Sequence, residues 1–444
     1  MQIKVYIITL LLIILSSCGS STTSSTTTDD SNDVTSEEVF ADLEQSHFGF
    51  NHMTDALLVK ISELGGVYHR PHPGPFIWGS VEATSDADYD WSEVDEVVSD
   101  YQDQGMLFLA TVFPYADWDQ SSCHDALDSD LTSNQGFLAL GDYRQQPCDM
   151  DAYKDFLTAM VDRYDGDGTN DMEDLVYPIR FWEITNEPAI VLSEGADLAF
   201  YSGTAIEYST LLSESADTIV AADENANVLP AGMFGIFDTA TDYWTDVYAL
   251  DATSYVDFAN YHSIASDSED AQMEDNQSFL DSISVEELSW ITELEFDESA
   301  YGSLTIAEAA EVMVQTYVRA FATGAQKIFM AGPNYDLSTD YDGDKSNNEE
   351  NDFAILDGDG AETAVYTALK EMIAQIDYFT AVQRITDELY LFTVGEESIY
   401  VSWSTGALPA TLTGEVIYTD LAGTETTSTW SSVPLGETVF ISPQ

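Results

Sequence analysis

The sequence is poor in positive charge. It carries 12 Lys and Arg against 81 Asp and Glu in 444 residues, a formal net charge of −69. That deficit excludes a nucleic-acid-binding surface, which needs clustered cations to displace counterions. It also disfavours anionic lipid and polyanionic polysaccharide as partners. A neutral partner fits, as does a saline setting in which charge is screened, and adaptation of the surface to salt is the plainer account of the acidity. Long apolar runs are missing after residue 15, so no later stretch has the roughly 20 residues needed to span a bilayer. No Gly-x-Gly-x-x-Gly and no Walker-type phosphate loop follows a strand pattern, which weakens nucleotide-binding alternatives. Cysteine is scarce, with 3 residues. What is plentiful is apolar: 44% hydrophobic and 12% aromatic residues supply a sizeable core and rule out global disorder.

The first 18 residues read as an address. Lys4 precedes an apolar run over 5–15, and Leu15-Ser16-Ser17-Cys18 follows. The run has the length of a signal-peptide core. Its ending resembles the bacterial lipoprotein signal, in which the cysteine, here Cys18, becomes the lipidated N-terminus. The resemblance implies a lipid anchor in the cell envelope. Gly19, where an aspartate would retain the protein in the inner membrane, implies the outer membrane, facing outward or into the periplasm. Residues 20–28 are nearly all Ser and Thr, a flexible tether within the span 19–46. Cys123 and Cys148 then lie in an oxidising compartment. A disulfide between them would close a loop of about 25 residues and contribute roughly 3 kcal/mol; two buried thiols are the alternative.

From residue 48 onward, short apolar runs alternate with amphipathic stretches. Strand patterns fall at 48–52, 66–70, 106–113, 179–184, 228–232, 256–262, 290–295 and 327–331. Helical patterns lie at 54–64, 91–104, 150–163, 204–222, 241–250, 268–288, 306–323 and 362–376. Several strands are continuously apolar, as in a parallel sheet covered on both faces. Eight such alternations predict an α/β chain folded as a (β/α)8 TIM barrel over 47–378. Beyond it, strand patterns at 389–393, 398–403, 411–419, 426–430 and 438–441 predict a small antiparallel β-domain over 379–444. Trp403 and Trp430 are its stacking candidates if it binds carbohydrate; a structural appendage packed on the barrel is the favoured alternative.

The active site of such a barrel lies at the C-terminal strand ends. Those ends carry His69-Arg70-Pro71-His72, Pro114-Tyr115-Ala116-Asp117-Trp118, Asn186-Glu187-Pro188, Asn260-Tyr261-His262 and Ile291-Thr292-Glu293. Two carboxylates, on strands four and seven, face each other across the mouth. Over roughly residues 48–378 the chain resembles clan A glycoside hydrolases, which include families 5 and 39. The likeness rests on Trp182-Glu183-Ile184-Thr185-Asn186-Glu187-Pro188 and Trp290-Ile291-Thr292-Glu293. Arg70, Tyr164-Asp165-Gly166-Asp167-Gly168 and Leu356-Asp357-Gly358-Asp359-Gly360 support it. It implies a retaining β-glycoside hydrolase acting on a neutral polysaccharide or its oligosaccharides, with Glu187 as acid/base and Glu293 as nucleophile. Asn186 would bind the sugar 2-hydroxyl, and Arg70 would keep Glu293 ionised. His262 and Tyr261 would lie at the sugar rim, with Trp78, Trp118 or Tyr335 as the stacking face.

Two departures stand out. Ile264 occupies a position where the family often has tyrosine, and Met330-Ala331-Gly332-Pro333-Asn334-Tyr335 replaces the usual tryptophan after strand eight. Glu183 and Glu295 are rival carboxylates; Glu295 would share a strand face with Glu293. The chemistry needs no cofactor and no metal. Asp165 to Asp171 and Asp340 to Asp344 resemble calcium loops but lack the full EF-hand pattern, so a structural calcium stands beside a plain acidic turn. A transglycosylase with the same glutamates and a non-catalytic glycan-binding surface lipoprotein are the alternative functions.

Overall fold

The eight apolar runs become the parallel staves of one curled sheet. The computed structural model describes residues 36–444 apart from 52–54, 86, 133–139, 197, 251, 266–268, 297–303, 333–352 and 358–359. Cys18, the tether as far as residue 35, Tyr335 and the second Asp-rich run lie outside the described residues. The strands are β1 (Phe48–Asn51), β2 (Tyr68–Arg70), β3 (Leu107–Val112), β4 (Phe181–Ile184), β5 (Asn227–Pro230), β6 (Met233–Phe234), β7 (Ala259–Ala265), β8 (Ser289–Phe296) and β9 (Ala325–Met330). Their hydrogen-bonded order is β5-β4-β3-β2-β1-β9-β8-β7-β6.

The nine pieces make eight staves, because β5 and β6 are one strand broken at Ala231-Gly232. β5 pairs with β4, and β6 pairs with β7. The residue at the break must be small: a Cβ on Gly232 would overlap the His262 imidazole. The Tyr208 hydroxyl ties the break to β4, accepting from the Ala231 amide at 2.7 Å and donating to the Ile184 carbonyl at 3.1 Å.

Helices cover the outer face, and their starts follow local sequence. Ala205–Ala222 and Ile306–Thr323 each open on a capping box, Thr204 with Glu207 and Thr305 with Glu308, which satisfies otherwise orphaned amides. Alternation along the strands splits the apolar residues into two layers. Tyr68, Leu107, Leu109, Phe181, Leu229, Trp290 and Phe329 fill the barrel's lower interior, where a side chain on Gly49 would overlap the Phe329 ring. The helix Ser36–Leu43 stoppers this end with Phe40 and Leu43. There, Lys327 donates to the carbonyls of Glu44 and Ser46 beneath the Tyr68 ring.

The second sheet is antiparallel: β10 (Phe379–Thr386), β11 (Leu389–Val394), β12 (Glu397–Ser402), β13 (Glu415–Asp420), β14 (Glu425–Thr429) and β15 (Val439–Pro443) lie in the order β10-β11-β12-β15-β13-β14. Its first strand, β10 (Phe379–Thr386), is absent from the sequence pattern. It is a mostly exposed edge strand, and such a strand has few inward residues to advertise it. The sheet packs on the barrel through Phe379 and Phe392 against Phe321, and through Arg319 over the Trp403 ring at 5.1 Å. Trp403 and Trp430 are both buried, the first stacked on Tyr390 and the second edge-on to Tyr400. Neither offers a face to a sugar, so these stacking candidates are structural residues. Cys123 and Cys148 form a disulfide. No helix among the described residues is long and apolar enough to cross a membrane.

Candidate active site

Three strand ends, of β2, β4 and β8, meet at one buried cation. Arg70, the last residue of β2, donates through Nε to Glu183 Oε2, through Nη1 to Glu293 Oε1 and through Nη2 to Asn186 Oδ1, each at 2.7 Å. Burial opposes its charge, but Glu183 and Glu293 outweigh that and raise its pKa. Asn186 thus turns its oxygen to the guanidinium, which leaves its amide nitrogen facing away, a donor for a ligand.

Glu183 points into the barrel, as alternation requires. Its carboxylate accepts from Arg70, from Thr111 Oγ1 at 2.6 Å, from Asn260 Nδ2 at 2.7 Å and from Thr292 Oγ1 at 3.0 Å. Arg70, Thr111 and Asn260 hold its two oxygens whichever way the Thr292 proton turns, so Glu183 anchors Arg70 and is unavailable as nucleophile or acid. Glu187 enters the site by a sharp turn beyond β4. Thr185 and Glu187 both adopt left-handed φ values of 65° and 36°. A β-branched residue there is strained, and such strain gathers at functional sites.

Glu187, His262 and Glu293 each present one donor atom, all within 4.8 Å of one another. His262 Nδ1 lies 2.6 Å from Glu187 Oε1 and 3.8 Å from Glu293 Oε1. Its Nε2 lies 3.1 Å from Thr292 Oγ1. The Thr292 hydroxyl has one proton, and both Asn260 Oδ1 at 2.8 Å and Glu183 Oε1 compete for it. The hydroxyl must therefore accept from His262, so Nε2 carries a proton. The short Nδ1 to Glu187 contact then holds one more proton, shared by the pair. Burial raises the Glu187 pKa; the nearby Glu293 charge adds to it, while His262 and Arg70 oppose it. Burial works against the His262 cation, but Glu293 and Glu187 outweigh it.

The donor set does not favour a metal. Glu293 Oε1 already faces the Arg70 guanidinium, and Glu187 Oε1 faces His262, so a divalent cation would have to displace both. A second acidic cluster, Asp165, Asp167 and Asp171, brings three carboxylates within 4.8 Å. They accept loop amides of Asp167, Thr169 and Gly168. Burial, then the Asp167 and Asp171 charges, push Asp165 up to about 6.

Several residues expected at the sugar lie elsewhere. His262 is buried beneath the mouth against Glu187 rather than at the rim. Tyr261 points out of the barrel into the helix layer, because its neighbours Asn260 and His262 point in. Trp78 is fully buried, donates to Glu82 Oε2 at 2.8 Å and meets Trp118 edge-on; it has no free face. Trp118 is half-buried and lines a separate cleft of about 910 Å³ with Glu82, Tyr89, Asp119 and Asp149, which none of Arg70, Glu187, His262 and Glu293 borders. Conversely, His72 Nδ1 lies 4.0 Å from Glu293 Oε1. Its place two residues beyond Arg70 was the available signal. Glu295 stands beyond Glu293 on β8, open to solvent, yet with protein crowding its carboxyl. Burial, Glu293 and Glu187 push it up to about 7 against the opposing effect of His262.

No protein-family model matches the chain, and no curated protein sequence matches it. Solved structures do. A family 39 glycoside hydrolase from Bacteroides cellulosilyticus WH2 aligns with a TM-score of 0.61 at 13% identity, over 91% of this chain and 82% of its own. A glucosidase from Croceicoccus marinus gives 0.60 at 11%, over 90% and 95%. A family 39 β-xylosidase from Caulobacter crescentus gives 0.57 at 12%, over 89% and 95%. At these identities the likeness is one of fold: a (β/α)8 barrel carrying a C-terminal β-domain.

Proposed function

We propose that this protein is a retaining β-glycoside hydrolase for neutral sugars, with Glu293 as nucleophile and Glu187 as acid/base. The observation that carries this reading is the pair of carboxylates within 4.8 Å, one held by Arg70 and the other by His262. Retaining enzymes hold their carboxyls about 5–5.5 Å apart, and inverting ones leave about 6.5–9.5 Å for a water. The close spacing favours attack by a carboxylate.

The environments divide the labour. A permanent cation at 2.7 Å favours the ionised form of Glu293 and orients it. Glu187 sits where burial favours the protonated acid. Glu293 attacks the anomeric carbon while Glu187 protonates the departing oxygen. Once the glycosyl ester forms, Glu293 is neutral and its repulsion of a charged Glu187 is gone, so Glu187 can take a proton from the incoming water. Asn186, its oxygen fixed by Arg70, donates through its amide to the sugar 2-hydroxyl. The xylosidase and glucosidase named among the fold relatives support a neutral pyranoside. On this reading the chain works as an envelope lipoprotein anchored through Cys18.

The test is hydrolysis of aryl β-glycosides and neutral polysaccharides, with the anomeric product followed by NMR. The expected result is retention of configuration. Glu293→Gln should lose activity by about 10⁴-fold or more, and Glu187→Gln by about 10²–10⁴-fold. An inverted product, or full activity in Glu293→Gln, sinks the assignment. If wild type binds glycan and releases nothing, the protein is a binder; if sugar rather than water accepts the glycosyl group, it is a transglycosylase.

A further inference from the structure

β8 continues beyond the nucleophile. Glu295 pairs with Ile264 of β7, and Phe296 pairs with Ala265. Phe296 stacks on the buried Phe353 with ring centroids 4.4 Å apart. Ladder and stack hold this end as strand, which fixes Glu295 more tightly than a loop would. Side chains two residues apart on a strand share a face and sit about 6.6 Å apart along it. Glu295 therefore stands on the Glu293 side of β8, one step nearer solvent. The charged groups acting on it are Glu293 on its own strand, Glu187 from the β4 tip and His262 from β7.

That position is unfavourable for the fold alone. A third carboxylate is set against two others, and among the described residues no hydrogen bond or ion pair compensates it. Like charges raise the cost of ionising it, and a strand-borne group kept at such a cost is suited to a ligand. A carboxylate offers acceptors to hydroxyls and repulsion to another carboxylate. We propose that Glu295 is the charge filter of the barrel mouth, accepting hydrogen bonds from a neutral sugar and turning away sugars that bear a carboxylate. The assignment rests on the glycosidase reading for its substrate class. It is distinct from the general repulsion of a chain of net charge −69, which one substitution leaves nearly unchanged.

The experiment compares kcat/KM for aryl β-glucoside with β-glucuronide, and for β-galactoside with β-galacturonide, using the full chain. It is run in about 1 M salt, where the Debye length is about 3 Å and the distant field is screened. In wild type the neutral-over-uronide preference should widen as pH rises through about 7. Glu295→Gln should cut the alkaline preference by about tenfold or more, chiefly through uronide KM, and Glu295→Asp should keep most of it. Glu425→Gln, on an exposed strand of the second sheet, should not alter the preference. An unchanged preference in Glu295→Gln overturns the filter, as does an equal loss in Glu425→Gln. If wild type cleaves no glycoside, the glycosidase reading fails, and the filter is read instead by calorimetric binding of neutral oligosaccharides against oligouronides. There, too, a preference unmoved by Glu295→Gln overturns it.

Discussion

The barrel buries two cations at opposite ends and treats them in opposite ways. At the mouth, Arg70 meets Glu183, Glu293 and Asn186, and its charge is reinforced despite burial. At the floor, Lys327 meets the carbonyls of Glu44 and Ser46 and the faces of Tyr68, Phe181 and Trp290. Burial lowers its pKa to about 7, with Asp377 and Glu44 too weak to restore it. Both side chains are buried to a similar degree, so burial alone does not make a site. What separates the ends is carboxylate partners: the mouth concentrates charge that a reaction can use, and the floor neutralises it.

The sharpest way to break this contrast is to remove each cation. Arg70→Met would leave Glu183 and Glu293 unpaired in the barrel, costing about 3–5 kcal/mol in chemical denaturation and abolishing glycoside turnover. If it destabilises no more than Lys327→Met, the two ends are equivalent and the contrast fails. Gly232→Ala comes next, because its methyl must displace the His262 ring from Glu187. Turnover should fall by about 10²-fold, with the alkaline limb of the pH profile shifted and the melting temperature changed less. A normal profile would mean that His262 does not share the Glu187 proton. The smallest effect is at the floor. Lys327 has a folded pKa of about 7, below its ordinary 10.5, so the unfolded chain binds more protons between those values. The lysine's cost is fully present below about pH 7 and is recovered as pH rises, by up to about 1.4 kcal/mol per unit. The stability difference between Lys327→Met and wild type should narrow accordingly from pH 7 upward; a constant difference would show the amine to be charged throughout.

The barrel was legible because its signals are local. The helix at 306–323 carries its own cap, Thr305 with Glu308, and the structure starts and ends it there. Eight apolar runs needed only the rule that parallel strands require helices between them. The β10 edge strand was not legible, since exposure on both faces removes the alternation. At the site, strand tips named the residue neighbourhood, but partners are chosen across the barrel. Arg70 and Glu183 are separated by 113 positions, and no periodicity connects them. Tyr261 was avoidable: once His262 points inward, the residue before it must point out. Trp78 was not, because only its packing against Trp118 and Glu82 hides its face.

The break between β5 and β6 has a mechanical meaning. All eight neighbouring pairs of staves are stitched by backbone ladders, whereas at Ala231-Gly232 one stave is itself interrupted, a joint fastened by the Tyr208 phenol and by the Asn260 amide on the Pro230 carbonyl. A hoop with a joint can flex where a stave is interrupted without unzipping elsewhere. That joint lies against His262, so the interruption in the stave sits beside the group that shares the proton of Glu187.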